Sequence, residues 1–506
     1  MRYVFHREDL PLKEKVCLLN DVDPSMLDVS DFKVDEDIDV LNAFKEYLLS
    51  LADKRFFIVG DYDCDGICAT AIMKKLFDDL GIACNYYIPS RSKEGYGLNK
   101  KIVETAFKNS FDVLICVDNG IIANEALAYA KENGLITLVI DHHEYENAPE
   151  ADAYLHPDLF PEKYADMCAS GLSCLLSQSI RKDELTMVYG GLATLADMVK
   201  VFGYNRYLLV QMKKLLNESF IAPIAYLTKS RRIDYETLSF DVIPKINAVS
   251  RMDDMLNVNY VVRYLLSDKQ ECVKYLSRIE EINTLRKQLT KEMAGLAQRI
   301  ADTDKQIIVV CSDAFKEGLC GLIANRLMNE YGKPVIILSK SEGLCKGSGR
   351  APKGFDLHEC LMGISDLFSA FGGHAQAVGL SIEEDKLPEF LKYLNEQRFI
   401  FEEPLKDVLS LKIEEIDMNV LDELDELKPF GQGFEEPAIA IEDCHYKKKY
   451  LIANAYPKFV LSEVLEAISF NPKDDKKDFT TAIGHLKKDT YHNGRLSFVI
   501  EDLVSF

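Results

Sequence analysis

Phe56-Phe57-Ile58-Val59-Gly60-Asp61-Tyr62-Asp63-Cys64-Asp65-Gly66 is the stretch on which the reading of this chain turns. An apolar, β-branched run leads directly into three aspartates at alternating positions, closed by glycine. The run reads as a buried strand, which puts the aspartates on the loop leaving its carboxyl end. The pattern returns twice. Val113 to Val117 delivers Asp118 just before Asn119-Gly120, and Leu135 to Ile140 delivers Asp141-His142-His143. Carboxylates crowded within a few Å of one another are unfavourable unless a cation neutralises them. Carboxylate or imidazole at three successive strand ends is the layout of a metal site at the lip of a parallel sheet. That geometry points to hydrolysis by metal-activated water.

Around these strands, Ile67 to Leu80, Asn99 to Lys108 and Ile122 to Glu132 read as helices, and Ala83–Ile88 as a further strand. Regular alternation predicts a parallel sheet with helices on its faces. Residues 169 to about 300 turn mostly helical, and Ser267 to Arg299 holds a helical pattern long enough to connect two domains. A second α/β unit begins at Gln306 to Cys311. It continues through a helix (Glu317 to Tyr331), a strand (Pro334 to Leu338), a glycine-rich segment (Gly343 to Gly354) and Phe371-Gly-Gly-His374 before a strand into Leu380. After Glu402, short β-type segments are separated by turns at Gly431-Gln-Gly433, Asn471-Pro472 and His492-Asn-Gly494, which suggests a small all-β domain.

Composition narrows the classes. In 506 residues, 47% hydrophobic and 28% charged content is that of a globular chain of two to four domains. Thirteen scattered cysteines without a CxxC pair suggest reduced thiols rather than a disulfide framework. No apolar run is long enough to span a bilayer, and Met1 to Leu10 lacks the order of a secretory leader, so the expectation is a cytoplasmic protein. A net charge of −22 weighs against a strongly basic nucleic-acid face. Bound divalent metal would cancel part of it, and much of the rest lies in stretches such as Asp422 to Glu426 and Glu402-Glu403. Binding outside an active cleft should then be loose and salt-sensitive.

The residues that carry chemistry are Asp61, Asp63, Asp65, Asp118, Asp141, His142, His143 and Asp197. Carboxylates with one or two imidazoles suit Mn²⁺ or Mg²⁺, and two such ions would clamp the attacking water and the leaving oxygen of a phosphodiester.

Gly60-Asp-Tyr-Asp-Cys-Asp-Gly66, Asp118-Asn-Gly120, Asp141-His-His143 and Ala196-Asp-Met-Val199 resemble the four motifs of the DHH phosphoesterases. Gly347-Ser-Gly-Arg350 and Gly372-Gly-His374, followed by Ala377 and Gly379, resemble the associated DHHA1 domain. Arg91 with Glu94-Gly-Tyr-Gly97, Ile246-Asn-Ala-Val-Ser-Arg251 and Leu427-Lys-Pro-Phe-Gly-Gln-Gly433 are similar to stretches of the RecJ single-stranded-DNA exonucleases.

The resemblance implies two α/β domains, DHH and DHHA1-like, with a cleft between them and a long connecting helix, plus a C-terminal OB-like β-barrel. The expected division is an N-terminal extension packed on the core (1–54), a DHH domain (55–265), the connecting helix (266–303), a DHHA1 domain (304–402) and the OB-like domain (403–506). Asp63, Asp65, Asp118, His142 and Asp197 would be metal ligands, with Asp61 a further ligand or a group behind them. Asp65 and Asp141 join His143 as catalytic candidates. His143 would neighbour the scissile phosphate, either binding metal or stabilising the leaving oxygen. Arg91, Arg251, Ser348 and Arg350 match positions that grip the terminal phosphate. Tyr96 is a candidate for stacking on a base, and His374 for touching substrate phosphate.

Three departures from the family pattern stand out: Ser250 where glycine is usual, Gly433-Phe434-Glu435 near the domain join, and Cys64 in an alanine position. None removes a metal ligand. The implied activity is exonucleolytic hydrolysis of single-stranded DNA from the 5′ end in repair and recombination. Implied partners are single-stranded DNA, a single-stranded-DNA-binding protein and a helicase, and a monomer suffices to thread one strand. The competing readings are a phosphodiesterase of short oligoribonucleotides or cyclic dinucleotides, a non-catalytic scaffold, and a pyrophosphatase.

Overall fold

The computed structural model describes residues 2–228, 230, 232–399, 405–453, 455–489 and 495–505. Its residues cluster into two units, one of 34–197 with 208–399, the other of 2–33, 198–207 and 405–505. Among the described residues no helix is long and apolar enough to cross a membrane.

The larger unit holds two five-stranded sheets. The first is parallel throughout, in the order Cys84–Tyr87, Phe56–Val59, Val113–Val117, Ile136–Ile140, Ala153–Leu155. Phe56–Val59 and Val113–Val117 are buried at every position, because helices cover both faces and leave no side for water. The helix after the aspartate turn starts earlier than the apolar pattern suggests, at Cys64 instead of Ile67. Asp63 caps it, and Gly81 ends it in the left-handed conformation. Asp65 therefore lies in the first helical turn, and the three aspartates are spread over a strand exit, a cap and a helix.

The connecting helix runs Lys269–Ile300, 32 residues capped by Asp268. The second sheet has the order Phe368–His374, Ala377–Glu383, Leu344–Arg350, Val335–Ser341, Ile308–Ser312, with only the last pair parallel. Two glycine-rich stretches given no secondary structure from the sequence lie in strands. Gly347 and Gly349 belong to Leu344–Arg350, where a Cβ at 347 would lie 1.8 Å from the Ile337 carbonyl oxygen. Glycine serves close strand and core packing there.

The smaller unit carries an eight-stranded mixed sheet, matching the expected all-β tail. It departs from a closed barrel. Among the described residues the order ends at Arg2–His6 on one side and Lys448–Ile452 on the other, and the sheet does not close. The N-terminal strand pairs in parallel with Leu405–Leu411 and so takes that strand's free edge. The N-terminal extension thus divides at Lys33: its first part groups with the β unit, and the Asp39–Ser50 helix with the larger unit. The turn at His492-Asn-Gly494 and the acidic pair Glu402-Glu403 lie outside the described residues.

Arg206 ties the smaller unit together. Its side chain is 2% exposed. It donates to the carbonyl oxygens of Leu27 (2.8 Å), Leu427 (2.7 Å) and Pro429 (3.0 Å), and its guanidinium lies 5.7 Å from the Phe434 ring centre. The Leu427–Gly433 motif makes room beside it. The Gln432 carbonyl accepts from the Val201 amide, and Cβ atoms at Gly431 and Gly433 would strike Val201 and Phe202 at 2.7 and 2.8 Å. Arg206→Met keeps the length but removes every donor from these buried carbonyls. Denaturant unfolding is expected to show a loss of about 3 kcal/mol, and a change within about 0.5 kcal/mol would refute the role.

Candidate metal centre and phosphate site

All strands of the first sheet run the same way, so Asp61, Asp118 and Asp141 leave it at one edge. Asp118 holds a left-handed backbone (φ 61°), a strained state for a non-glycine residue. Asn119 locks this turn. Its Nδ2 donates to the Val59 and Val117 carbonyls at 3.0 and 2.9 Å, and its Oδ1 accepts from the Leu98 amide at 3.2 Å. Gly60 and Gly66 are both tight points, since a Cβ would sit 2.0 Å from Thr70 Oγ1 at the first and 2.5 Å from the Asp61 carbonyl oxygen at the second.

Helix ends orient two more carboxylates. Asp63 Oδ1 accepts from the Asp65 and Gly66 amides at 2.9 and 3.2 Å. Asp65 caps the Ala169–Ile180 helix, taking the Ala169 and Ser170 amides at 2.8 Å each, one per oxygen. Asp197 ends the Glu184–Ala196 helix and places its Oδ2 3.7 Å from His142 Nδ1. Nε2 of the same imidazole lies 3.3 Å from Asp118 Oδ1 and 3.7 Å from Asp65 Oδ2.

Three overlapping donor groups result: Asp118, His142 and His143; Asp65, His142 and Asp197; and Asp61, Asp63 and Asp118. In each, the donor atoms lie within 4.8 Å of one another. Whether this set suits a divalent cation is tested by its polar atoms. Asp61 Oδ1 and Asp118 Oδ1 are buried with no hydrogen-bond partner among the described residues. Burial, then Asp63, holds the Asp61 carboxyl well above its ordinary range. Burial, then Asp65 and Asp63, does the same to Asp118. Burial and the same two neighbours lift Asp197 to about 8. Burial also lowers His142, keeping its imidazole neutral as a ligand must be. Orphaned oxygens, excess negative charge and a neutral imidazole fit an oxygen-preferring divalent ion.

Asp141 stands apart. Its Oδ2 accepts from the Ile121 amide at 3.0 Å, and its Oδ1 from the His142 amide (2.8 Å) and His143 Nδ1 (2.7 Å). Burial alone would raise it, but His143 and the Ile121 amide outweigh burial and hold it below the usual carboxylate range. It orients His143 and has little left for an ion. His143 gains in return: burial opposes its charge, yet the Asp141 bond lifts it to about 9. The Tyr96 hydroxyl donates to the Asp118 carbonyl at 3.0 Å and lies 3.2 Å from His143 Nδ1. Its ring meets Tyr62 edge-on, and Tyr62 carries the Arg91 guanidinium 5.1 Å from its ring centre. The wall His143–Tyr96–Tyr62–Arg91 leads from the donor groups to a cluster of arginines.

Burial, then Arg91, Arg286 and Arg350, pushes Arg251 down to about 10. Burial and Arg91 lower Arg350 too. Among the described residues none of Arg91, Arg251 and Arg350 is ion-paired with a carboxylate. Unpaired guanidiniums in one place form an anion site. Ser348 and Arg350 face the start of the Cys320–Tyr331 helix, where a Cβ at Gly321 would lie 3.5 Å from Ser348 Oγ and 3.1 Å from Arg350 Nη2. Across the sheet, Ser348 is level with Gly379 and Gly372, and Arg350 with Ala377 and His374. Directly opposed residues share a face, so His374 sits on the Arg350 face, exposed on the edge strand. Cβ atoms at Gly372 and Gly379 would meet nothing within 4 Å, which leaves an open backbone floor. Tyr62 and Asn119 lie inside the quoted motifs but were given no role, and Arg286 and the Gly318/Gly321 pair escaped the sequence reading. The two glycines at a helix start were the available signal.

Family models match in chain order: the DHH family N-terminal domain over residues 55–196, the DHHA1 domain over 304–397, and the RecJ OB domain over 409–502. The chain carries DHH, DHHA1 and RecJ OB domains. The single-stranded-DNA-specific exonuclease RecJ of Bacillus subtilis is 29% identical over 77% of this chain, which spans about half (52%) of that protein's length. Its Haemophilus influenzae namesake is 28% identical, covering 83% of this chain and 81% of that protein. Thermus thermophilus RecJ with Mn²⁺ shares the fold at a TM-score of 0.83 and 22% identity, covering all of this chain and 79% of that one. It has also been solved with Mg²⁺ (TM-score 0.75, 21% identity, 99% of this chain and 78% of that one).

Metal and pH should therefore be linked in this chain. Carboxyls raised in the fold, Asp197 to about 8 among them, stabilise the metal-free protein below their ordinary values near 4, and the Asp197 share is lost as pH rises through about 8. Mn²⁺ replaces the protons, so its effect on Tm should be several degrees larger at about pH 8 than at about pH 5. Calorimetry of the metal-free protein with and without Mn²⁺ checks this, and a shift independent of pH would sink it.

Proposed function

We propose that the chain is a metal-dependent exonuclease that hydrolyses phosphodiester bonds of single-stranded DNA from the 5′ end, releasing mononucleotides. One observation carries this reading: a divalent-ion donor cluster and a carboxylate-free arginine cluster share the wall His143–Tyr96–Tyr62–Arg91. The activity named for the curated relatives, and the three domains matched in order, support it.

Asp61, Asp63, Asp65, Asp118, His142 and Asp197 are the residues that would hold the ions. Mn²⁺ or Mg²⁺, when bound, would supply the charge that activates water and neutralises the scissile phosphate. His143, kept protonated by Asp141, offers positive charge and a proton to a phosphate oxygen. The guanidiniums of Arg91, Arg251 and Arg350 would grip the terminal 5′-phosphate bidentately, with the Ser348 hydroxyl donating one bond beside them, and so set polarity. A fixed span from that anchor to the ion site would determine product length. Tyr62 and Tyr96 offer ring faces and edges to the terminal nucleotide. The open floor at Gly372 and Gly379 admits the sugar-phosphate backbone, with His374 at its rim.

In the β unit, exposed Tyr446, Tyr450 and Phe470 with Lys448 and Lys449 are groups of the kind that hold an unpaired strand. The chain would work as a cytoplasmic monomer in repair and recombination, on strands opened by a helicase or coated by a single-stranded-DNA-binding protein. The OB-domain match over residues 409–502 weighs against a phosphodiesterase confined to very short substrates.

A 5′-phosphorylated, 3′-labelled oligonucleotide with Mn²⁺ tests the reading, beside the same strand as duplex and as RNA. Mononucleotides should leave the 5′ end of single-stranded DNA alone. His142→Ala should lower kcat at least about a hundredfold. Arg350→Ala should instead raise KM about tenfold for the 5′-phosphorylated strand. Survival of long strands while dinucleotides are cleaved would overturn the proposal.

A further inference from the structure

Asp253-Asp254 is an acidic pair that neither the ion-donor groups nor the arginine cluster uses. It lies on the turn after the Ile243–Arg251 helix. Arg91, in contrast, sits on a loop between the Cys84–Tyr87 strand and the Lys100–Lys108 helix. That loop closes on itself. The Glu94 and Gly95 amides donate to the Ser90 carbonyl at 2.8 and 3.2 Å, while Glu94 Oε2 accepts from the Ser90 amide (2.9 Å) and the Tyr87 hydroxyl (2.7 Å). These bonds make a compact turn but leave its aim to be set from outside.

Asp253 sets it. Its Oδ2 accepts from Ser90 Oγ at 2.7 Å, the Ser92 amide at 2.8 Å and Ser92 Oγ at 3.0 Å. The residues on both sides of Arg91 are thus held by one carboxylate, two residues beyond Arg251. Asp254 meets Lys316 Nζ at 2.5 Å, and the Arg251 carbonyl oxygen lies where a Cβ on Gly318 would reach within 2.3 Å. One short turn therefore ties the Arg91 loop, Arg251 and the segment entering the helix beside Ser348 and Arg350.

The charge logic is specific. Guanidiniums gathered for one anion repel one another, so the loop bearing Arg91 has to be restrained against them. A carboxylate paired directly to Arg91 would restrain it but would compete with phosphate. Asp253 bonds neutral donors flanking Arg91, and charge-assisted bonds of this kind are roughly twice as strong as neutral ones. The loop is held and the guanidinium keeps its charge for the ligand.

We propose that Asp253 is a positioning residue that aims Arg91 at the terminal phosphate and so sets the preference for a 5′-phosphorylated over a 5′-hydroxyl strand. The inference rests on reading the arginine cluster as the terminal-phosphate site. Steady-state kinetics with Mn²⁺ on two single-stranded oligonucleotides, identical except for 5′-phosphate or 5′-hydroxyl, test it in the full chain. Asp253→Ala should raise KM for the phosphorylated strand about tenfold and collapse the kcat/KM ratio between the strands as Arg91→Ala does. Its half-saturating Mn²⁺ concentration should stay put. The double variant Ser90→Ala with Ser92→Ala, which keeps the carboxylate and the Ser92 amide, should shift the ratio the same way by less. That variant serves if Asp253→Ala folds poorly. Equal losses on both strands, with the ratio preserved, would mean a scaffold role and overturn the proposal. If Arg91→Ala collapses the ratio while the Asp253 and serine variants keep it, the proposal falls alone. If Arg91→Ala leaves the ratio unchanged, the terminal-phosphate reading fails and takes the proposal with it.

Discussion

Mutual repulsion among buried carboxylates is the constraint around which this molecule is organised. Asp61, Asp65 and Asp118 are almost fully buried, and Asp65 and Asp63 stand close enough to raise the pKa values of Asp118 and Asp197. A fold tolerates such a group only by giving each carboxylate fixed donors or leaving its oxygens for a cation. Both answers are present. Helix N-termini take Asp63 and Asp65, the Ile121 amide and His143 take Asp141, and Asp61 and Asp118 keep orphaned oxygens. Much of the first domain's architecture follows, because each helix start and strand end has to deliver a donor or a carboxylate to one edge.

The arginine cluster is the electrostatic mirror image. Like charges are again gathered, here positive and held by packing and by bonds to their neighbours. An assembly of negative groups beside an assembly of positive ones, joined by an aromatic wall, suits a polyanion with one phosphate at an ion site and another held by guanidiniums. It also explains how a chain of net charge −22 serves such a substrate. Local placement, not the total, decides what binds.

Much of this was readable beforehand. Apolar runs of four or five residues ending in aspartate marked the strands and their outward edge, because a doubly covered parallel strand has to be apolar throughout. The motifs marked Asp61, Asp63, Asp65, Asp118, His142 and Asp197, which the structure brings together. Asp141 was set beside His143 and outside the ion ligands, and its oxygens are taken by the Ile121 amide and His143. Where the reading failed, a local signal was missing. Glycines at 347, 349, 372 and 373 gave no strand signal, but they lie in strands, three of them with backbone or core atoms pressed close. Arg286 sits in a helix with no local mark of its purpose, and Asp253 reads as any acid after a helix.

The sequence by itself determined which residues bear the chemistry and which elements carry them, since periodicity and motif spacing are properties of neighbours along the chain. Tertiary structure decided the rest. It chose which aspartate caps a helix and which faces an ion, and it brought Arg251, Arg91 and Arg350 to one place. It also laid residues 2–6 along the Leu405–Leu411 strand, leaving the β sheet open. Those outcomes depend on contacts between residues from about twenty to some four hundred positions apart. Burial and electrostatics act through space, and no local pattern encodes them.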